Sequence, residues 1–150
     1  MSTLRRFVSL ALVAVALTPA LAAHGDESLE TVEYWKTQGD YLQKVVDSTN
    51  TACGTHMTYA WINKPEFRKK ASDHNNSPYS ICGDVFDSLR GVCDRGDEAK
   101  KRVQAKVKSV SCGYANPHTI AIAGGKLTLM SNQEQANFDD WAKVQLGNAL

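Results

Sequence analysis

The chain has 150 residues, 43% of them hydrophobic and 22% charged, with 17 basic against 16 acidic side chains. That length allows one domain of ordinary size, and the composition excludes a disordered or collagen-like chain. A formal charge of +1 creates no field that selects nucleic acid or an anionic membrane.

The chain opens with Arg5 and Arg6, an apolar run from Phe7 to Leu17 and the small-residue pattern Ala20, Leu21, Ala22. This reads as a secretory signal peptide over residues 1–22, cleaved after Ala22. The apolar run falls short of the roughly 20 residues that a bilayer span needs. With no cysteine before Cys53, lipid attachment behind the signal is excluded too. Cleavage removes two of the basic residues and none of the acidic ones, leaving 128 residues at formal charge −1. Residues 23–150 are then a single secreted or periplasmic domain with no transmembrane segment.

All four cysteines, Cys53, Cys82, Cys93 and Cys112, lie in that domain, and an even set in an exported chain reads as two disulfides. Their spacings of 29, 11 and 19 residues match neither a CxxC redox motif nor paired zinc ligands. No metal or other cofactor is expected.

Residues 28 to about 49 place Val32, Trp35, Leu42, Val45 and Val46 at helical spacing, with Gly39 as a weak point. From Cys53 the period becomes two: Cys53, Thr55, Met57, Tyr59 and Trp61 share the buried face of a first strand, with His56 on the other. Residues 63–77 are polar and without periodicity, which predicts a surface loop. Ser77 and Pro78 begin a second helix that carries Ile81, Cys82, Val85, Phe86, Leu89, Val92 and Cys93 on one face and closes at Gly96. Asp97 is expected to cap a short third helix, followed by a strand through Val110, Cys112 and Tyr114 and a turn at Asn116 and Pro117.

Strands 118–123 and 126–130 flank Gly124 and Gly125, which suits a two-residue type I′ hairpin. Such a loop pairs Ala123 with Lys126, Ile122 with Leu127 and Ile120 with Leu129, placing the large apolar side chains on one face. Ser131 and Glu134 form a capping box, and Phe138, Trp141, Ala142 and Leu146 define a last amphipathic helix. The fold class is therefore α+β: one mixed four-stranded sheet with a C-terminal β-meander, helices packed on one side of it, and two disulfides.

On one helix Cys82 and Cys93 stand about 16 Å apart. Bridged Cα atoms are separated by about 4.4 to 6.8 Å, so these two cannot pair with each other. Either Cys53 joins Cys82 and Cys93 joins Cys112, or the pairing is crossed. A loop at 63–77 that returns the chain to the start of the first strand favours the sequential pairing, with the first two strands parallel.

The second helix with its two cysteines, VKSVSC at 107–112, the glycine hairpin followed by LTL, and the final NFDDWAKVQL helix together resemble a group of small exported bacterial proteins with four cysteines. The resemblance implies export and the order of elements. It implies no activity, and the charged segment 63–77 departs from it.

Candidate chemical residues are few. His56 reads as an exposed strand histidine, and His74 beside Asp73 lacks converging ligands. Asp84 and Asp87 are neighbours on a polar helix face, with Asp94 further along, where a solvated face is the simpler account. Trp35, Trp61 and Trp141 could form a sugar platform, but each falls on an apolar stripe and reads as core. The one cluster is AKKRVQAKVK at 99–108, where Lys100, Lys101, Arg102, Lys106 and Lys108 form a candidate anion-binding set.

These features point to a non-enzymatic binding or envelope-associated module, its partner an anionic envelope polymer or an acidic protein rather than nucleic acid. The alternative is a small secreted hydrolase, which would require a deep pocket holding His56 or His74 with a nucleophile and an acid. The signal motif makes a direct prediction: the secreted protein begins at Ala23, which its intact mass will show; recovery of a membrane-embedded chain starting at Met1 would refute it.

Overall fold

The structure, a computed structural model, describes residues 27–132 and 138–150. Helix α1 (Leu29–Cys53) starts at Ser28, whose hydroxyl accepts the Thr31 amide, and runs beyond the expected end at 49. Its last turn remains helical because Val46, Thr49 and Cys53 are buried together with α3 (Pro78–Cys93). Gly54 then closes α1 in the left-handed region at φ 64°, its amide bonded to the Asn50 carbonyl. The first strand is correspondingly shorter than expected, β1 (Thr58–Trp61), with Cys53 assigned to the helix. Asn50 secures the junction: its Oδ1 accepts from the Met57 amide and the Thr55 hydroxyl, both at 2.8 Å, while its Nδ2 donates to the Met57 carbonyl.

The segment expected as a loop, 63–77, contains α2 (Lys64–Asp73). Pro65 occupies its first turn, Phe67 and Ala71 bury one stripe four residues apart, and Lys69 pairs with Asp73 on the solvent side. A single apolar pair in ten residues was too little periodicity to reveal it. Helix α3 begins as expected, with the Ser77 hydroxyl accepting the Ser80 amide and Pro78 in the first turn. In α4 (Asp97–Lys106), Gly96 holds the cap position and Asp97 is the first helical residue rather than the cap.

Strands β2 (Ser109–Gly113), β3 (Thr119–Ala123) and β4 (Lys126–Met130) complete one mixed sheet of order β1-β2-β4-β3. Strand β1 is parallel to β2, and the hairpin has the expected register, Ala123 opposite Lys126 and Ile120 opposite Leu129, with Gly124 and Gly125 both at positive φ. Within the expected C-terminal meander the order of strands differs: β4, rather than β3, lies against β2, and it does so in parallel. This exchange buries Leu127 and Leu129 fully between neighbours and leaves the smaller TIAIA strand on the edge. Helix α5 (Phe138–Ala149) packs on α3 and β3 through Phe138, Ala142 and Leu146. The capping box at Ser131 and Glu134, and residues 1–22, fall partly or wholly outside the described residues.

The four strands point Tyr59, Trp61, Val110, Cys112, Ile120, Ile122, Leu127 and Leu129 toward the helices. Their other face carries mainly small side chains such as Ala60, Ser111, Thr128 and Ala121.

The disulfides are crossed, Cys53 with Cys93 and Cys82 with Cys112, at Cα separations of 5.3 and 5.8 Å. The expected sequential pairing is overturned by the relation of α1 to α3. Gln38 Oε1 accepts the Tyr79 amide, Thr49 Oγ1 lies 3.1 Å from the Phe86 carbonyl, and Cys53 joins Cys93. These partners advance together along both chains, so the helices are parallel and their C-terminal ends coincide. Cys82, three turns earlier on α3, is left over Cys112 of the central strand. Peptide mapping without reduction should therefore yield linked fragments holding Cys53 with Cys93 and Cys82 with Cys112. Replacing either pair by alanine should lower stability by about 2 to 4 kcal/mol in denaturant melts.

Candidate functional site

Helix α4 presents its cations as the apolar spacing requires. Ala99 and Val103 are buried, whereas Lys101, Arg102 and Lys106 are exposed and Lys100 is half-buried. Within hydrogen-bonding range the cluster is partly engaged. Lys101 pairs with Glu98 at 3.1 Å, a fully solvated pair of small energetic weight. Lys106 donates to the Ala149 carbonyl at the end of α5, and Lys108 donates to the Gln104 carbonyl at the end of α4. Both lysines are drawn to helix C-termini, where orphan carbonyls concentrate partial negative charge. Each ammonium keeps two further donors for a ligand.

Lys108 also meets a residue that stands far from it in the chain. It lines a recess of about 280 Å³ together with His56, Gly54, Gln104 and the buried Met57 and Val107. Gln104 Nε2 donates to the Cys53 carbonyl and so fastens α4 to the end of α1. His56 also borders a second, open recess of about 450 Å³ that contains Asp47, Thr51 and Thr55.

The polar groups of that second recess are committed to one another and to backbone. Thr51 donates to the Asp47 carbonyl, Thr55 donates to Asn50 Oδ1, and Asp47 Oδ1 accepts from Gln43. Both hydroxyl protons are thus held by acceptors other than the His56 imidazole.

The other candidates are dispersed. His74 stacks on Tyr114 at 6.0 Å. Asp87 pairs with Arg90 at 2.9 Å, and Asp87 and Asp94 line a polar recess with Asp139 and Lys143. Among the described residues no group of three or more His, Cys, Asp or Glu side chains is arranged to hold a metal ion, and no helix is long and apolar enough to cross a membrane.

The tryptophans divide. Trp141 lies edge-on to His118 at 4.3 Å, whereas Trp35 and Trp61 meet at 5.3 Å between α1 and β1. Trp35 is 6% exposed and belongs to the core, as expected. With Tyr59, Trp61 and Gly39 it floors an open groove of about 550 Å³ whose rim carries Asp40 and Lys64. Two side chains of α2 cover this cluster, Lys64 above Trp35 at 5.5 Å and Arg68 above Tyr34 at 4.3 Å, while Arg68 also pairs with Glu30 at 2.7 Å. Nothing in the aperiodic sequence of 63–77 signals this contribution of α2.

Burial, and secondarily the nearby Asp40 carboxylate, hold the Tyr59 hydroxyl above the usual tyrosine pKa. It thus stays a neutral donor, bonding the Gly39 carbonyl at 3.2 Å.

Comparison with protein-family models, curated proteins and solved structures finds no match to this chain.

The Tyr59 contact explains the glycine inside α1. A Cβ at position 39 would lie 2.9 Å from the Tyr59 hydroxyl oxygen. Gly39→Ala should destabilise the protein by about 1 kcal/mol, the worth of a displaced hydrogen bond, despite alanine's better helix propensity. In a Tyr59→Phe background the same change should instead stabilise by about 0.5 to 1 kcal/mol. Urea unfolding of the four variants checks this; a substitution effect of the same sign in both backgrounds would disprove the role of the hydroxyl.

Proposed function

We propose that this chain is an exported, non-enzymatic binding module, akin to the small four-cysteine bacterial proteins its sequence resembles, and that it meets an anionic partner through α4 and the start of β2. The observation that carries this reading is the exposed run Lys101, Arg102, Lys106 and Lys108, with half-buried Lys100 beside it, against which Glu98 is the one carboxylate in an ion pair among the described residues. The partner class is an anionic polymer of the cell envelope or an acidic protein surface. Two disulfides suit an oxidising compartment.

Exposed cations act chiefly on encounter, and at about 0.15 M salt their field reaches about 8 Å. The association is therefore weak and salt-sensitive. The recess beside Lys108 and His56 offers a place where an anionic group could leave open solvent and rest on apolar Met57 and Val107. The Thr51 and Thr55 hydroxyls near His56 donate to the Asp47 carbonyl and to Asn50 Oδ1, which supports the binding reading over the alternative of a small secreted hydrolase.

Retention of the protein on immobilised dextran sulfate tests the proposal. The wild type should elute at clearly higher salt than a variant carrying Lys100→Gln, Lys101→Gln and Arg102→Gln, and Lys108→Gln should add to the loss. Elution of all three at the same low salt would show that α4 is merely a solvated face.

A further inference from the structure

We propose that two copies of this chain pair through the free edge of β3, with the Trp141 and Val144 flank of α5 closing the seam. This surface is separate from α4 and does not rest on the anion-binding reading.

The hairpin geometry determines which backbone groups are free. A two-residue loop makes Ala123 and Lys126 a hydrogen-bonded pair, so Ala121 with Thr128 and Thr119 with Met130 are bonded pairs too. The amides and carbonyls of Ile120 and Ile122 consequently point away from β4. Strand β3 is the last in the sheet, and no hydrogen bond among the described residues engages these four groups.

Exposed strand edges invite another strand, and soluble proteins commonly guard them with charges, proline or bulges. The other edge, β1, has only four residues and lies beside a groove rimmed by Lys36, Asp40 and Lys64. Strand β3 has no such guard: residues 119–123 are Thr, Ile, Ala, Ile and Ala, and its two isoleucines are half exposed.

The strand is also complementary to itself. In an antiparallel pair centred on Ala121, Ile120 faces Ile122 of the second copy and Ile122 faces its Ile120, both as hydrogen-bonded pairs. Four new backbone hydrogen bonds result, and the isoleucines cover one another on the helix side. No like charges oppose within the strand.

The neighbouring helix supplies the second observation. Trp141 touches His118 at the start of β3, and Val144, one turn further along the same flank, is 59% exposed. A two-fold axis normal to the sheet keeps the helices of both copies on the same side, so the two Trp141 and Val144 flanks face each other across the seam. An unrelated extended peptide could satisfy the strand edge alone; a second copy satisfies the edge and the flank together.

Sedimentation velocity on the purified, oxidised protein over a range of concentrations provides the test. A reversible dimer is expected. Ile122→Pro removes one outward amide without touching the β4 ladder, and Val144→Lys sets like charges across the seam while altering an exposed residue. Each should weaken dimerisation on the order of tenfold or more, whereas Val32→Lys, at an exposed apolar site on α1, should leave it unchanged. A monomer at every concentration, a dimer that neither seam substitution weakens, or one that Val32→Lys weakens equally would overturn the proposal. Should Ile122→Pro fail to fold, Val144→Lys decides alone.

Discussion

The parallel alignment of α1 and α3 is the constraint on which the other elements depend. Two adjacent helices joined by a short loop run antiparallel; parallel ones need an intervening segment that returns the chain. Here β1 and α2 make that return, and the Thr49, Gln38 and Cys53 contacts hold the two helices in register along their length. Once α3 is so aligned, Cys82 is delivered to the central strand, α4 emerges beside the end of α1, and α5 finds its groove against α3 and β3.

The candidate site follows from that convergence of helix ends. The C-terminal turns of α1 and α4 meet at Gln104, and β1 and β2 begin in the same region. Strand starts and helix ends leave backbone groups unpaired, so polar side chains gather there: Asn50 satisfies the turn into β1, Gln104 the last carbonyl of α1, and Lys108 the Gln104 carbonyl in the last turn of α4. A cation held over helix carbonyls is partly neutralised yet well positioned, which distinguishes Lys108 from the freely solvated Arg102.

Much of this fold was legible from local signals with a single meaning. Ser77 with Pro78 marked a helix start, paired glycines between alternating strands marked both a turn and its register, and eleven-residue spacing ruled out a bridge within α3. What stayed hidden needed partners from elsewhere in the chain. Alternation through Thr55 and Met57 suggested a strand from Cys53, but burial against Phe86 and Leu89 extends the helix to that cysteine. Helix α2 announces itself only by Phe67 and Ala71, and its real anchor is the ring cluster of Trp35 and Trp61. The encounter of His56 with Lys108 was likewise unreadable, because the 51 residues between them include three helices whose directions no local pattern specifies. The basic run on α4 was plain in the sequence; the carbonyls that occupy Lys106 and Lys108 were not.

The interleaving of the two bridges has a temporal side. In any emergence of the chain from its N-terminus, Cys53 and Cys82 are the first two thiols available to each other, and in the finished molecule they are not partners. Neither native bond can close until Cys93 has appeared, and the second awaits Cys112. An oxidant that joins thiols in order of arrival thus traps a loop incompatible with the parallel helices, and a thiolate must attack it before α1 and α3 can align. Under such an oxidant, acquisition of the native fold depends on the means of exchanging disulfides as much as on the means of forming them.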